Sequence, residues 1–88
     1  MEIKKLRRQI DELDDHVLEC VNRRASLALE IGKVKKLTGE PIRVPEREEE
    51  VVRRLCAQSN GPLSSEAVAR IFTRVIEECR GLEESDSC

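Results

Sequence analysis

From Ile3 to Val34 the chain carries an apolar stripe that no proline interrupts. Ile3, Leu6, Ile10, Leu13, Val17, Cys20, Leu27, Ile31 and Val34 follow one another in steps of three and four, broken once at Arg24. That is the spacing of a heptad seam on a helix. The pattern predicts a single helix from near Glu2 to about Leu37, with Gly39 as its stop signal. At about 1.5 Å per residue such a helix is a rod of roughly 50 Å. A compact chain of 88 residues would be only roughly 30 Å across. The rod must project beyond its own globule, and a second chain must cover the protruding seam. The expected fold is therefore all-α, three helices per chain in an intertwined helical homodimer.

The remaining helices follow from breakers and periodicity. Gly39 and Pro41 mark a loop over Thr38–Val44. Pro45 suits the first turn of a second helix, which reaches about Ser59 with Val51, Val52, Leu55 and Cys56 on its apolar stripe. Ser59-Asn60-Gly61-Pro62 reads as a turn. A third helix starts after Ser64 and carries Val68, Ile71, Phe72, Val75, Ile76, Cys79 and Leu82, with a frayed tail from Glu84 to Cys88. One domain over residues 1–88 is expected.

Composition excludes several function classes. No run approaches the ~18 apolar residues of a membrane span, and Met1 leads straight into a charged amphipathic pattern rather than a secretory signal. A net charge of −2 and a single aromatic residue, Phe72, speak against nucleic-acid binding, which uses basic faces or stacking rings. The four cysteines, at positions 20, 56, 79 and 88, form no CxxC pair, and His16 is the only histidine. No metal site and no cofactor are expected. Cys20, Cys56 and Cys79 fall on apolar stripes, which predicts buried, reduced thiols in a cytoplasmic protein; a disulfide scaffold is the alternative.

Charges that break the amphipathic pattern carry the functional signal. Glu49–Arg53 and Glu50–Arg54 are spaced as i,i+4 pairs and need no special reading. Arg24, however, occupies the seam position between Val17 and Ile31. It is either an internal ion pair or register-setting residue, or an anion site, because a buried arginine needs an anionic partner. Lys35 lies about three turns further on, on the same side, with Ala28 and Ile31 between. Two cations over an apolar floor suit the two ends of a small dianion; a plain surface lysine is the alternative. Arg7 points about 100° away from Arg24 around the helix. It is thus a solvated arginine or one that reaches a partner's site. Arg47 and Glu48 have no opposite charge four residues away, and Glu48 stacks on the inward face with Val52 and Leu55. Glu83 extends the buried stripe of Ile76 and Cys79, where a carboxyl is hard to ionise. Both glutamates could equally lean outward from helix ends.

At these residues the chain resembles the all-helical chorismate mutase family over nearly its whole length. The match runs through Leu6-Arg7-Arg8-Gln9-Ile10-Asp11-Glu12-Leu13-Asp14, Arg23-Arg24-Ala25-Ser26-Leu27-Ala28 and Ile31-Gly32-Lys33-Val34-Lys35. It continues through Pro41-Ile42-Arg43-Val44-Pro45-Glu46-Arg47-Glu48, Arg70-Ile71-Phe72 and Ile76-Glu77-Glu78-Cys79. The ordered set at these spacings carries the resemblance; no single piece does.

The resemblance implies a homodimer with two sites that convert chorismate to prephenate, towards phenylalanine and tyrosine. Arg24, Lys35, Arg47 and Glu48 match ligand-binding positions of the same chain, and Arg7 the arginine supplied in trans. Cys79 and Glu83 stand where relatives have serine and glutamine. Lys35, Glu83 and Arg24 would carry catalysis, with Arg47 orienting Glu48 or the substrate. Val44 stands where aspartate is common before the helix-two proline, at an expected cost of about 1 kcal/mol of local order. An isochorismate–pyruvate lyase shares the implied fold, but Glu48 directly after Pro45-Glu46-Arg47 favours the mutase. A non-catalytic helical dimerisation or ligand-sensing module would dimerise without turnover.

Overall fold

In the computed structural model, residues 2–85 are described. They form three α-helices: α1 (Glu2–Thr38), α2 (Pro45–Gln58) and α3 (Ser65–Ser85). The boundaries lie where the breakers put them. Gly39 adopts φ +78°, and its N–H donates to the Lys35 carbonyl at 2.8 Å, closing α1 with a left-handed cap that a side chain would strain. Val44 caps α2 with no side-chain hydrogen bond, as a valine must, and Pro45 sets the first turn. At α3, the Ser64 hydroxyl accepts from the Ala67 N–H at 3.1 Å. The expected frayed tail is corrected in part: Glu84 and Ser85 continue α3. Asp86, Ser87 and Cys88 lie outside the described residues.

The chain is a rod with a short flank, 56 × 25 × 14 Å with a radius of gyration of 16.0 Å. A compact chain of this length would have a radius near ~12 Å. α3 packs against both α1 and α2, whereas the backbones of α1 and α2 do not meet among the described residues. The small core lies along α3, where Val68, Ile76 and Cys79 are buried, together with Ala28 of α1 and Val51 of α2.

The first half of α1 is exposed throughout. Ile3, Leu6, Ile10, Leu13 and Val17 are all more than half exposed, and the row continues through Leu27, Ile31 and Val34. Cys20 is exposed on the same seam and Cys56 is half-buried; only Cys79 has the burial expected for all three. The seam is there, but within one chain nothing covers it. Cys20, Cys56 and Cys79 are free thiols.

α1 and α3 approach closely at Gly32. A Cβ there would meet the Cβ, Cα and Cγ of Glu83 at 3.2, 3.3 and 3.3 Å. Gly32→Ala gains up to ~1 kcal/mol of helix propensity but forces the backbone of α3 outward, and overpacking costs about 1–3 kcal/mol. A net loss of stability is expected in a denaturant titration. A midpoint at or above that of the unaltered chain would show that α3 gives way freely.

Candidate active site

Where α1, the 39–44 loop, α2 and α3 converge, they enclose a cavity of about 480 Å³. α1 supplies Arg24 and Lys35, three turns apart, with Ala28 and Ile31 between them as an apolar floor. α2 supplies Arg47, Glu48 and Val51, and α3 supplies Ile76, Cys79, Arg80 and Glu83. Ile42 and Val44 close the loop side. Six of the seven residues expected from the sequence therefore share one cavity. The seventh, Arg7, is on the exposed half of α1, seventeen residues from Arg24, or about 25 Å along the axis. It cannot reach this cavity within its own chain.

Lys35 is fixed from the loop. Its Nζ donates to the Ile42 carbonyl at 2.8 Å and lies 4.0 Å from Glu83 Oε2. Glu83 is the only buried charged residue among the described residues. Burial pushes its carboxyl above the ordinary value; Lys35 and Arg24 pull it down, Glu48 and Glu84 push it up, and burial prevails. Arg24 is half-buried on the cavity wall, and its charge is felt by Glu83. Among the described residues no salt bridge within the chain engages it.

Glu48 is also held, but by a residue the sequence did not single out. Arg80 Nη1 lies 2.7 Å from Glu48 Oε2 and 2.9 Å from Oε1, and the Arg43 Nε is 3.6 Å from Oε1. Arg47 does not orient Glu48; its guanidinium turns outward to Glu50 one turn along. Glu50 is thereby paired with Arg47 at i,i+3, where the i,i+4 rule would have chosen Arg54. The signal for Arg80 was indirect: an inward Glu48 with no cation three or four residues away on its own helix requires one from another.

The cavity thus presents Arg24 and Lys35 on the α1 wall and, across from them, two carboxylates of different character. Glu48 is an ion-paired acceptor; Glu83 is biased towards its protonated, donating form. The arrangement suits a small dianion with a hydroxyl group.

The sequence profile of the family described as chorismate mutase type II matches residues 6–84. The chain belongs to the type II chorismate mutase family. As a chorismate mutase domain it falls among the isomerases, and its solved relatives agree with it in backbone as well as sequence. The chorismate mutase of Thermus thermophilus (form II) superposes with a TM-score of 0.94 at 31% identity over 96% of both chains. The Helicobacter pylori chorismate mutase, solved in complex with prephenate, gives 0.86 at 30% identity over 94% of this chain and 90% of that one. The bifunctional chorismate mutase/prephenate dehydratase of Aquifex aeolicus is 37% identical over 93% of this chain but only 24% of its own length. The chain thus spans about a quarter of that chorismate mutase's longer polypeptide. No helix among the described residues is long and apolar enough to cross a membrane.

Proposed function

We propose that this chain rearranges chorismate to prephenate as a homodimer, by holding one conformer and stabilising the charge that separates in the transition state. The supporting observation is the convergence of Lys35 and Glu83, 4.0 Å apart, at the end of an otherwise apolar floor that begins at Arg24. The reaction is an intramolecular Claisen rearrangement. The ether C–O bond breaks as a C–C bond forms, so no nucleophile or proton acceptor is required. Lys35 faces the ether oxygen, where negative charge grows. Protonated Glu83 donates a second hydrogen bond to the same oxygen. Arg24 holds one carboxylate, and Arg7 of a second chain holds the other. Glu48 accepts from the ring hydroxyl, and Cys79 packs against the ligand beside Glu83.

The dimer reading rests on the bare seam of α1 and on the 56 Å length of the chain. A polar chain seldom leaves so long an apolar row in water, and an identical seam is the complement closest to hand. One domain over residues 1–88 is supported by the family match and by the way α3 joins the other two helices. The cytoplasmic reading rests on the free thiols. Formation of prephenate from chorismate by the purified chain tests the whole proposal; no rate above the uncatalysed one would end it.

Glu83 makes the reaction pH-dependent. Turnover at saturating substrate is expected to fall as pH rises through the raised pKa of Glu83, because the ionised carboxylate repels the developing charge instead of donating to it. Glu83→Gln donates at every pH and should hold its activity on the alkaline side. The free protein should follow the same sign. A carboxyl that holds its proton more tightly when folded contributes most stability below its unfolded pKa, and loses that contribution as pH rises through the folded one. Superimposable pH–rate profiles for the two proteins would remove Glu83 from the ether oxygen.

A further inference from the structure

The proposed chemistry sets Glu48 a problem. A carboxylate that lines a site for a dianion repels it, and a glutamate side chain with three rotatable bonds can swing towards the cations on the opposite wall. The structure answers both difficulties with one side chain. Arg80 places a single nitrogen, Nη1, within 2.9 Å of both Glu48 oxygens, and the two side chains are about equally buried, 21% and 22% exposed. At its other edge the Arg80 Nε lies 3.5 Å from Glu84 Oε1, one turn along α3. Arg43 from the loop stands 3.6 Å from Glu48 Oε1. Four alternating charges, Glu84, Arg80, Glu48 and Arg43, therefore run from α3 across α2 to the loop.

We infer that Arg80 is the positioning residue that makes Glu48 a neutralised, fixed acceptor for the substrate's ring hydroxyl, so that selection for a hydroxylated dianion is set from α3. This rests on the mutase reading of the cavity. A carboxylate offers about four acceptor sites. Arg80 occupies one on each oxygen and leaves lone pairs on both for a hydroxyl. A charge-assisted contact of this kind is short, and with one nitrogen spanning both oxygens it holds the carboxylate in place and offsets its charge. Arg47, the nearer residue in sequence, is engaged with Glu50 and does neither.

The test uses chorismate and the analogue that lacks the ring hydroxyl but keeps both carboxylates and the ether. The unaltered chain should prefer chorismate in kcat/KM by about 10–100-fold, the scale of one hydrogen bond to a charged group. Arg80→Met keeps the stem and removes the charge. It should raise KM for both dianions, because Glu48 is no longer neutralised, and raise it about tenfold further for chorismate, abolishing most of the preference. In a Glu48→Gln background the same change should add less than about threefold, because the group it acts through is already gone. Circular dichroism and dimer mass are checked for each protein. If Arg80→Met does not fold, Arg80→Gln replaces it, neutral but with a polar tip, with the same expectation. A retained preference overturns the inference. So does an equal loss on both substrates, or an equal loss with and without Glu48, since either indicates a structural or direct anion-binding role. Absence of turnover by the unaltered chain would instead defeat the mutase reading, and the inference with it. Turnover without any hydroxyl preference would overturn the inference alone.

Discussion

Lys35→Ala is expected to lower turnover by about 10²–10³-fold, the scale observed when one preorganised donor to a developing oxyanion is removed. The ammonium has three N–H groups. One is committed to the Ile42 carbonyl at 2.8 Å, which fixes Nζ before any ligand arrives. Glu83 Oε2 lies on the cavity side at 4.0 Å. A donor already held in place costs no reorganisation when charge appears on the ether oxygen. Its contact is stronger in the transition state than in the bound substrate, so turnover should carry the effect and KM should change little. The fold should survive, because one loop hydrogen bond is worth about 1 kcal/mol. Prephenate formation at saturating chorismate, with helix content measured alongside, checks this. A raised KM at unchanged turnover would reassign Lys35 to simple anchoring.

Arg24→Ala should cost at least about 10²-fold in activity, and Arg7→Ala should also inactivate, although the two arginines are about 25 Å apart along one helix. The strongest consequence appears when the two inactive proteins are refolded together. In a mixed dimer, the Arg7→Ala chain still offers its own Arg24, and its partner still offers Arg7. One site per mixed dimer is then complete and the other has neither arginine. With random pairing about a quarter of the unaltered activity should return. Mass spectrometry counts the mixed dimers. Mixed dimers without activity would mean that Arg7 has no part in the site.

The helices and their breaks were legible because they depend on local chemistry: a heptad seam, Gly39 where φ must be positive, Pro45 where no N–H is needed. Arg24 was legible for the same reason, as the one cation on an apolar row. Partners across the fold were not. Arg80 and Glu48 are 32 residues apart, and periodicity assigns a side chain to a face without saying which group meets it there. Glu83 was legible as a carboxyl on the buried stripe of α3; Lys35 and Arg24, brought near it by the fold, pull the other way, and burial prevails. Cys20 failed in the opposite way. Its place on the seam is correct, but whether a seam is dry depends on a second molecule.

α1 and α2 face each other across the cavity without meeting, and α3 alone joins them as packed helices. Arg47, Glu48 and Val51 thus stand on a fourteen-residue helix braced from one side. Its amides should exchange with deuterium sooner than those of the inner turns of α3, since opening α2 separates the fewest packed groups. A dianion that bridges Arg24 and Lys35 to Glu48 would supply the missing span, acting as a strut between two walls. Ligand protection should therefore appear first and most strongly along α2, and the free energy of binding would be stored as rigidity in the helix that the empty chain leaves least supported.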